Sequence, residues 1–543
     1  MTHPELSTDH VLARAVPKRP VGPREESSRP AAAFWLARST LLDPLFFGLL
    51  AALVSATGSW IPSKWNDEAA TQSAASRSLA QLWQMMQNID AVHGLYYAFM
   101  HFWIILFGTS NFAMRAPSVI AVAAACAGVV VLGRRLGSRR IGLYSGAIFM
   151  ILPRVTWMGM EARSYAFTAL VAVWLTVILV GLIDGNHRRW WAVYAILAAV
   201  GAVLNVYLAL LVVAHGVSLL LARQRRPQPF RVLLSWAISA AIAALCALPV
   251  VLLVVRQTGQ LPFGPLTVGN VANSVLFQQY FTGAAPTVQR SVPFPPTSLW
   301  ATAAIVLACC GWALMIAAVA WRRIRSTIDE NRTVGLLAMT VPWIVVPFVL
   351  LMGFSLAVTP IYTARYFSFT TPAVALLMGT SVAAFAKHWK RIGAIALLAV
   401  IALPIYLSQR GPTSKNATDW EQAAAVLQAH ARPGQDIYYG PIAVGSTLSI
   451  SKVRDAYPAA LSQLNDITLN QTGVESNTLW DSQRPLTDAR STLRTTAALW
   501  VVLEHSGTAS PVSTVQQRYL QKEGLHLSRA WRGQSTDVLL YTR

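Results

Sequence analysis

The amino-acid sequence predicts an α-helical polytopic membrane protein with about eleven transmembrane helices, followed by a small external α/β domain. Apolar runs of membrane-spanning length recur between residues 41 and 409, and the composition turns polar after Leu407. Only 12% of the 543 residues are charged, about half the share of a soluble protein, and the mean hydropathy is +0.45. Lipid is therefore the main solvent for most of the chain.

Residues 1–40 precede the first apolar run. They are polar and include Pro17, Pro20, Pro23 and Pro30, and they lack the early apolar core and small-residue cleavage site of a signal peptide. A segment of this composition cannot bury enough apolar surface to fold. We therefore expect a disordered cytoplasmic tail.

Eleven segments offer the roughly 20 mainly apolar residues that a transmembrane helix needs, although the two on either side of Asn205 are short. The predicted spans are 41–60, 116–133, 141–158, 165–183, 190–204, 206–222, 232–255, 298–321, 334–357, 367–386 and 392–409.

Basic residues are concentrated in connectors between these spans and give the chain a net charge of +21. Such connectors face the cytoplasm, so we interpret the charge as a topology signal with attraction to anionic lipid, and not as a nucleic-acid-binding surface. The prediction is a multi-pass protein of the plasma (inner) membrane, with a cytoplasmic N-terminus and an external C-terminus. The connectors are 134–140, 188–189, 223–231, 322–332 and 387–391.

Residues 93–108 are apolar but were not counted as a span. The segment is short, aromatic and carries His93 and His101, which favours an amphipathic helix in the membrane interface. Residues 61–115 then form one long external loop. The alternative is a true span and a twelve-helix protein, which would reverse the side of the connector 134–140.

Residues 410–543 are polar and predict the external (periplasmic) domain. A helix is expected from Asp419 to about residue 431, and strands at 436–439, 498–503 and 538–541. The domain contains no phosphate-binding loop, nucleophile elbow or metal-ligand spacing. We therefore expect it to bind an acceptor and not to catalyse.

Acidic residues are scarce, yet Asp67, Glu68, Asp90 and Glu161 all fall on the external side in this topology. Transfer of a sugar to an alcohol needs a base for the acceptor proton. A carboxylate suits this role, and burial or a like-charge neighbour raises its pKa. Asp67 has such a neighbour in Glu68.

Three arginines accompany these acids at the external face: Arg115, Arg163 and Arg365. Each alone would be an ordinary arginine anchoring a helix end. Together they could neutralise the phosphate of a lipid-linked donor. His93 with Asp90 is an alternative metal-binding pair, so a divalent metal stays open, although no cofactor is firmly predicted.

The chemistry-bearing residues occur in short motifs with a fixed order. The motifs are Asp67-Glu68, Asp90-Ala-Val-His-Gly-Leu-Tyr-Tyr97, Phe107-Gly108, Arg115-Ala-Pro-Ser118, Gly133-Arg-Arg-Leu-Gly137, Glu161-Ala-Arg-Ser-Tyr165 and Ala364-Arg365-Tyr366. This succession resembles the C-type glycosyltransferase superfamily, in particular its protein O-mannosyltransferase and aminoarabinose transferase branch, over roughly residues 40–410. The composition also resembles that of actinobacterial proteins.

The resemblance implies inverting transfer of one sugar from a polyprenyl-phosphate donor at the external face of the membrane. It implies mannose as the sugar, with arabinose as the alternative, and an envelope glycan, glycolipid or protein as the acceptor. Asp67 matches the catalytic base, with Glu68 beside it. The implied substrate-binding residues are Asp90, His93, Tyr96, Arg115, Glu161, Arg163, Tyr165, Arg365 and Tyr366. The family's usual Pro-Pro-Leu is replaced here by Ala91-Val92-His93-Gly94-Leu95, which leaves the role of His93 open.

Two other classes of function compete with this interpretation. A transporter or lipid flippase would carry ionisable residues near mid-membrane and commonly an internal repeat, but acids are nearly absent from the predicted spans and we find no repeat. A non-catalytic scaffold that presents the C-terminal domain would leave Asp67, Asp90 and Arg365 without a role.

Overall fold

A computed structural model describes residues 29–185, 189–221, 229–257, 259, 266–283, 298–320, 335–440, 450–504 and 514–543. The predicted cytoplasmic tail up to residue 28 lies outside these residues, as do most of the basic connectors at 223–231 and 322–332. Residues 43–543 pack as one compact unit.

The predicted spans are helical. The helices in this part of the chain are α1 (Arg29–Ala56), α2 (Asn66–Ala75), α3 (Leu79–Asn88), α4 (Gly94–Phe107), α5 (Asn111–Leu136), α6 (Arg139–Ile151), α7 (Pro153–Met158), α8 (Tyr165–Ile183), α9 (Arg189–Leu204), α10 (Leu208–Leu221), α11 (Pro229–Gln257), α12 (Val268–Asn273), α13 (Leu299–Ala320), α14 (Leu336–Ala357), α15 (Thr371–Ala383) and α16 (His388–Ser408). A π-helical segment follows α12 (Ser274–Thr282), and short 3-10 turns precede α4 (Ala91–His93) and α15 (Ala364–Thr370).

Seven helices of the described chain are long and apolar enough to cross a membrane, and four shorter ones are apolar. The prediction of an α-helical polytopic membrane protein is therefore confirmed. Two details differ from the sequence analysis. Helix α1 begins at Arg29, inside the segment predicted to be disordered. The predicted span 141–158 is two helices, because Pro153 forces Leu152 into an extended conformation and starts a new helix.

Helix α4 corresponds to the apolar segment 93–108, for which the sequence allows either an interfacial helix or a membrane span. Its 14 residues measure about 21 Å along the axis, less than the roughly 30 Å hydrocarbon layer. Tyr96, Tyr97 and Met100 are buried against the rest of the protein, whereas Ile105 and Leu106 are exposed. Its interfacial position stays a prediction.

The centre of the helical region is formed by α5, α6, α8 and α15, which pack closely against one another. Small residues permit this approach: a Cβ on Gly142 of α6 would lie 2.5 Å from the Val130 carbonyl oxygen of α5. Helix α8 begins directly after the loop that carries Glu161 and Arg163, and Ser118 of α5 donates to the Glu161 carbonyl at 2.6 Å, so the packing of α5 on α8 holds that loop.

The C-terminal region contains a five-stranded sheet with the order β2-β1-β5-β7-β6. Strands β1 and β2 and strands β1 and β5 are parallel, while β5, β7 and β6 are antiparallel. The strands are β1 (Asp436–Tyr439), β2 (Asn465–Asp466), β5 (Ala498–Glu504), β6 (His526–Arg532) and β7 (Thr536–Thr542), and β3 (Leu469–Gln471) pairs with β4 (Ser482–Gln483) in a separate hairpin. The helices here are α17 (Trp420–His430), α18 (Lys452–Ala456), α19 (Pro458–Leu461), α20 (Arg490–Thr495) and α21 (Thr514–Lys522).

The central strands are buried on both faces. Tyr439, Trp500 and Val502 pack into one core and Tyr438 and Val501 into the other, as alternation along a strand requires. The three strands and the helix predicted from sequence are present, and the α/β class is confirmed. Strand β6 was missed because it is an edge strand with mostly exposed side chains.

Candidate active site

Helix α2 positions both residues of the acidic pair in its first turn. Carboxylates are favourable there because the backbone N–H groups at a helix N-terminus are unpaired. Successive residues of a helix point about 100° apart. Asp67 and Glu68 therefore face different surroundings, although they are adjacent in sequence.

Asp67 faces two arginines and is only 8% exposed. Arg365 Nη1 lies 3.1 Å from its Oδ2, and Arg163 Nη2 lies 3.6 Å from its Oδ1. Burial raises the pKa of Asp67, but the charges of Arg365 and Arg163 outweigh burial and hold that pKa below its usual value. The expectation that Glu68 raises the pKa of Asp67 is therefore wrong, because the arginines dominate its surroundings.

Arg163 links Asp67 to the second predicted motif. Its Nη1 donates to the Tyr97 hydroxyl at 2.7 Å, and that hydroxyl donates to Asp90 Oδ2. His93 Nε2 lies 4.0 Å from Asp90 Oδ1. Asp90 has φ of 61°, a left-handed conformation that costs energy for a residue with a side chain. A continuous polar chain thus runs from Asp67 to Asp90, through a tyrosine that the sequence analysis did not single out.

Glu68 lies in a separate, fully buried network. Arg115 contacts it through Nε at 2.8 Å and Nη2 at 2.6 Å, and Lys415 Nζ lies 2.9 Å from its Oε1. The Ala162 N–H donates to the same oxygen. Burial raises the pKa of Glu68, but Arg115 and Lys415 outweigh it and lower that pKa to about 2. Glu68 is therefore a buried counter-ion.

Arg115 was predicted to lie at the substrate-binding face. Besides Glu68, its guanidinium donates to the carbonyls of Ser59, Pro62 and Ser63, and the side chain is fully buried. The structure does not bring Arg115 to the Asp67 side, because its nitrogens are engaged by Glu68 and by the carbonyls of the loop before α2.

Glu161 closes the same network. Lys415 Nζ lies 2.6 Å from its Oε1, and Trp65 Nε1 donates to its Oε2 at 3.1 Å. Burial, opposed by Lys415 but reinforced by Glu68, raises the pKa of Glu161 to about 7. Glu161 thus lies behind Asp67 and not beside it. Lys415 was missed because it follows the last predicted span, in a polar stretch without a motif.

Aromatic side chains line the side of the site near Arg365. Tyr366 lies between Tyr165 and Tyr207, with ring centroids 6.2 Å and 5.1 Å away. The guanidinium of Arg365 is 5.8 Å from the Trp65 ring. Tyr96 is buried against Phe99 and Phe167, away from these rings. The predicted residues Tyr165 and Tyr366 are thus brought together with Arg365, and Tyr207 joins them from the turn between α9 and α10.

Arg154 is a further buried arginine that the sequence analysis missed. Its Nε donates to the Gln279 carbonyl at 3.1 Å and its Nη2 to the Gly283 carbonyl at 3.3 Å. Its Nη1 has no hydrogen-bond partner among the described residues. It anchors the π-helical segment, Ser274–Thr282, against α7.

The C-terminal region packs directly on the helix that carries Asp67. Lys452 Nζ donates to Asn66 Oδ1 at 2.8 Å and lies 4.5 Å above the Trp480 ring. Ala69 of α2 is part of the hydrophobic core that contains Trp420 and Trp500. Helix α2 is therefore shared between the helical region and the sheet region.

The arrangement places an ionised carboxylate beside two guanidinium groups and an aromatic surface. Such a site can accept a proton at Asp67 and neutralise an anionic leaving group at Arg365. No group of three or more His, Cys, Asp or Glu side chains in the described chain could hold a metal ion. Asp90 and His93 alone would supply two ligands.

Comparison with known proteins gives one family match. Residues 94–253 match the model of the dolichyl-phosphate-mannose-protein mannosyltransferases. The matched range contains Arg115, Glu161 and Arg163, and leaves Asp67 and Arg365 outside. No curated protein matches the sequence.

Solved structures extend the similarity over nearly the whole chain. ArnT from Cupriavidus metallidurans, bound to undecaprenyl phosphate, superposes with a TM-score of 0.55 at 12% identity, covering 94% of this chain and 98% of that one. The apo state of ArnT gives a TM-score of 0.54 at 12% identity, with the same coverage. The oligosaccharyltransferase AglB from Archaeoglobus fulgidus gives 0.43 at 12% identity, covering 84% and 69%.

The family match over residues 94–253 and the likeness in fold to ArnT make this chain similar to the C-type glycosyltransferases. It has the helices of a multi-pass membrane protein, and the similarity is to the protein mannosyltransferase and ArnT branch. The resemblance stated from the sequence motifs is confirmed to this level, while the actinobacterial origin stays a prediction.

Proposed function

We propose that the chain transfers a single sugar, with inversion, from a polyprenyl-phosphate donor to an acceptor of the cell envelope. The observation that carries the proposal is Asp67, a nearly buried carboxylate held between Arg163 and Arg365. The likeness to ArnT, which was solved bound to undecaprenyl phosphate, supports a lipid phosphate as the group that Arg365 binds.

The reaction is a single displacement at the anomeric carbon. The acceptor oxygen forms a bond to that carbon as the bond to the phosphate oxygen breaks, and the acceptor proton passes to Asp67. The lipid phosphate leaves with the electron pair, and Arg365 neutralises it. One displacement inverts the anomeric configuration.

The arginines have a second effect on Asp67. Before the donor binds, Arg365 and Arg163 keep the carboxylate ionised, because they lower its pKa against the effect of burial. When Arg365 turns to the donor phosphate, its charge is shared with that phosphate. Asp67 then becomes a stronger base at the step that needs one.

Three finer assignments belong to this proposal. The sugar is mannose, with arabinose as the alternative. The reaction takes place on the external side of the plasma membrane; this side is supported by the basic connectors, whose charge predicts a cytoplasmic N-terminus. Residues 410–543 form the external domain that binds the acceptor, because this domain packs on α2 next to Asp67.

The other predicted site residues hold Asp67, Arg163 and Arg365 in position. Asp90 and Tyr97 hold Arg163 in place, and Tyr165 and Tyr366 shape the wall beside Arg365. Glu68, Arg115 and Glu161 fix the loops that carry the site. His93 is held near Asp90.

The test is transfer from a radiolabelled polyprenyl-phosphate mannose, and separately arabinose, by the purified chain in detergent. Asp67→Asn preserves size and removes the base, so turnover should fall by about 10²–10⁴-fold while donor binding persists. Asp488→Asn, on an exposed position of the C-terminal region, serves as the matched control. Near wild-type turnover by both Asp67→Asn and Asp67→Ala would refute the assignment.

A further inference from the structure

A cavity of about 480 Å³ lies between the end of α2 and the C-terminal domain. Ligand sites are commonly clefts of this size at the junction of two structural units. One wall carries Ser73, Ser76 and Arg77, and the opposite wall carries Asp455 and Ser462. The cavity lies outside the polar chain that joins Asp67 to Asp90.

The lining supplies both hydrogen-bond donors and acceptors. Arg77 is 4% exposed, and its Nη2 donates to the Thr478 carbonyl at 2.6 Å. Its Nε has no hydrogen-bond partner among the described residues. Asp481 pairs with Arg454 and accepts the Gly473 N–H at 2.7 Å. The lining therefore brings the charged groups of Arg77, Arg454, Asp455 and Asp481 together around one space.

Hydroxyl groups alternate with apolar patches around the same space. Ser76, Ser462 and Thr472 lie beside Leu461 and Val474. A sugar ring presents hydroxyls at its edge and C–H groups on its faces, and this lining matches both. A peptide acceptor that binds by adding a strand would need an open strand edge, and none of the lining residues belongs to a strand.

Helix α2 connects the cavity to Asp67. Asp67 is in its first turn, and Ser76 directly follows its last residue, so the two are about 13 Å apart along the axis. Helix α18 packs beside part of α2, with Lys452 bonded to Asn66 and Asp455 lining the cavity. An acceptor that reaches both places must be longer than one sugar residue.

We infer that this cavity binds the inner residues of an oligosaccharide acceptor whose terminal hydroxyl is presented to Asp67. The inference rests on the proposed transferase function and specifies its acceptor as a glycan. It assigns Arg77, Asp455 and Asp481 to acceptor recognition, separately from the donor at Arg365.

The experiment uses the full chain in detergent, a labelled polyprenyl-phosphate mannose or arabinose, and sugars released from the envelope polysaccharide by mild acid and separated by size. Label transfer is measured for each fraction, and release of sugar to water is measured without acceptor. Wild type should transfer to oligosaccharides at least about tenfold faster than to monosaccharides, which corresponds to about 1.4 kcal/mol of added binding.

Two variants fill the cavity from opposite walls: Ser462→Trp and Ser76→Tyr. Each should reduce transfer to oligosaccharides to the monosaccharide rate and leave release to water unchanged, which also shows that the variant is folded. Ser528→Trp, on an exposed position of β6, is the matched control and should behave as wild type.

The outcomes separate this inference from the proposed function. Three results would overturn the inference and leave the proposed transferase function intact. They are equal transfer rates for all sugar sizes, full transfer to oligosaccharides by both cavity-filling variants, or label found only in protein or lipid. Absence of any donor turnover by wild type would overturn the proposed function itself, and the inference with it.

Discussion

Replacement of Lys415 by methionine should destabilise the enzyme, because Lys415 balances two buried carboxylates. Its Nζ lies 2.9 Å from Glu68 and 2.6 Å from Glu161, and all three side chains are buried. At an effective dielectric constant of 20, each contact amounts to about 6 kcal/mol of gross attraction. The desolvation of the lysine offsets much of this gain, so the net loss should be about 3–5 kcal/mol.

The assay is thermal unfolding of the full chain in detergent, followed by tryptophan fluorescence at a fixed scan rate because unfolding of such proteins is commonly irreversible. The apparent Tm of Lys415→Met should fall by about 3–5 °C. Adding Glu161→Gln restores the charge balance and should recover at least about 1 kcal/mol. Lys522→Met, on an exposed position, is the control and should not change the Tm.

The loss should also depend on pH. The pKa of Glu161 is raised by burial to about 7 in the folded enzyme, above its unfolded value, so protonation favours the folded state. Its stabilising effect is present at low pH and is lost as pH rises through the folded pKa. Without Lys415 that pKa rises further, so the difference from wild type should shrink near pH 5 and grow above pH 7. An unchanged Tm, or a double variant no more stable than the single one, would refute the reasoning.

Three further predictions concern the Asp67 site. Arg365→Ala should weaken binding of the polyprenyl-phosphate donor about 10–100-fold, measured by titration, without changing the acceptor KM. A donor affinity equal to that of the wild type would show that Arg365 does not bind the phosphate. The pKa of Asp67 is lowered by Arg365 and Arg163 against burial, so wild-type kcat/KM should be flat from pH 5 to 7. Arg365→Gln removes a positive charge beside Asp67, so the fall of kcat/KM at low pH should move to higher pH, into this range. If the low-pH fall of kcat/KM does not move, Asp67 is excluded as the titrating base. Tyr97→Phe removes the hydroxyl that links Asp90 to Arg163 and should reduce kcat about tenfold with little effect on Tm. If its kcat is as high as that of the control Tyr144→Phe, Tyr97 does not position Arg163.

Periodicity and composition were sufficient to predict the helical region, because a transmembrane span is a property of local sequence. The exceptions have local causes as well. Pro153 divides one predicted span into α6 and α7. Strand β6 escaped prediction because its side chains are mostly exposed and show no apolar alternation.

The candidate site was only partly predictable, because its contacts join residues far apart in the chain. The motifs identified Asp67, Arg163 and Arg365, which the structure brings together. They named Asp67 as the base by resemblance, but they could not show which partners Asp67 and Glu68 contact, because helical geometry turns adjacent side chains in different directions. Nor could they find Lys415, which is 347 residues from Glu68 and has no motif around it.

Lys415 also changes how the C-terminal region can be treated in protein engineering. The composition boundary near residue 409 looks like a place to cut the chain or to graft a tail from a relative. A chain ending at Ser408 would nevertheless leave Glu68 and Glu161 buried without the one cation that contacts both in the described structure. The membrane part and the tail should therefore tolerate recombination only where the junction retains a cation at position 415, so they cannot be exchanged as independent modules.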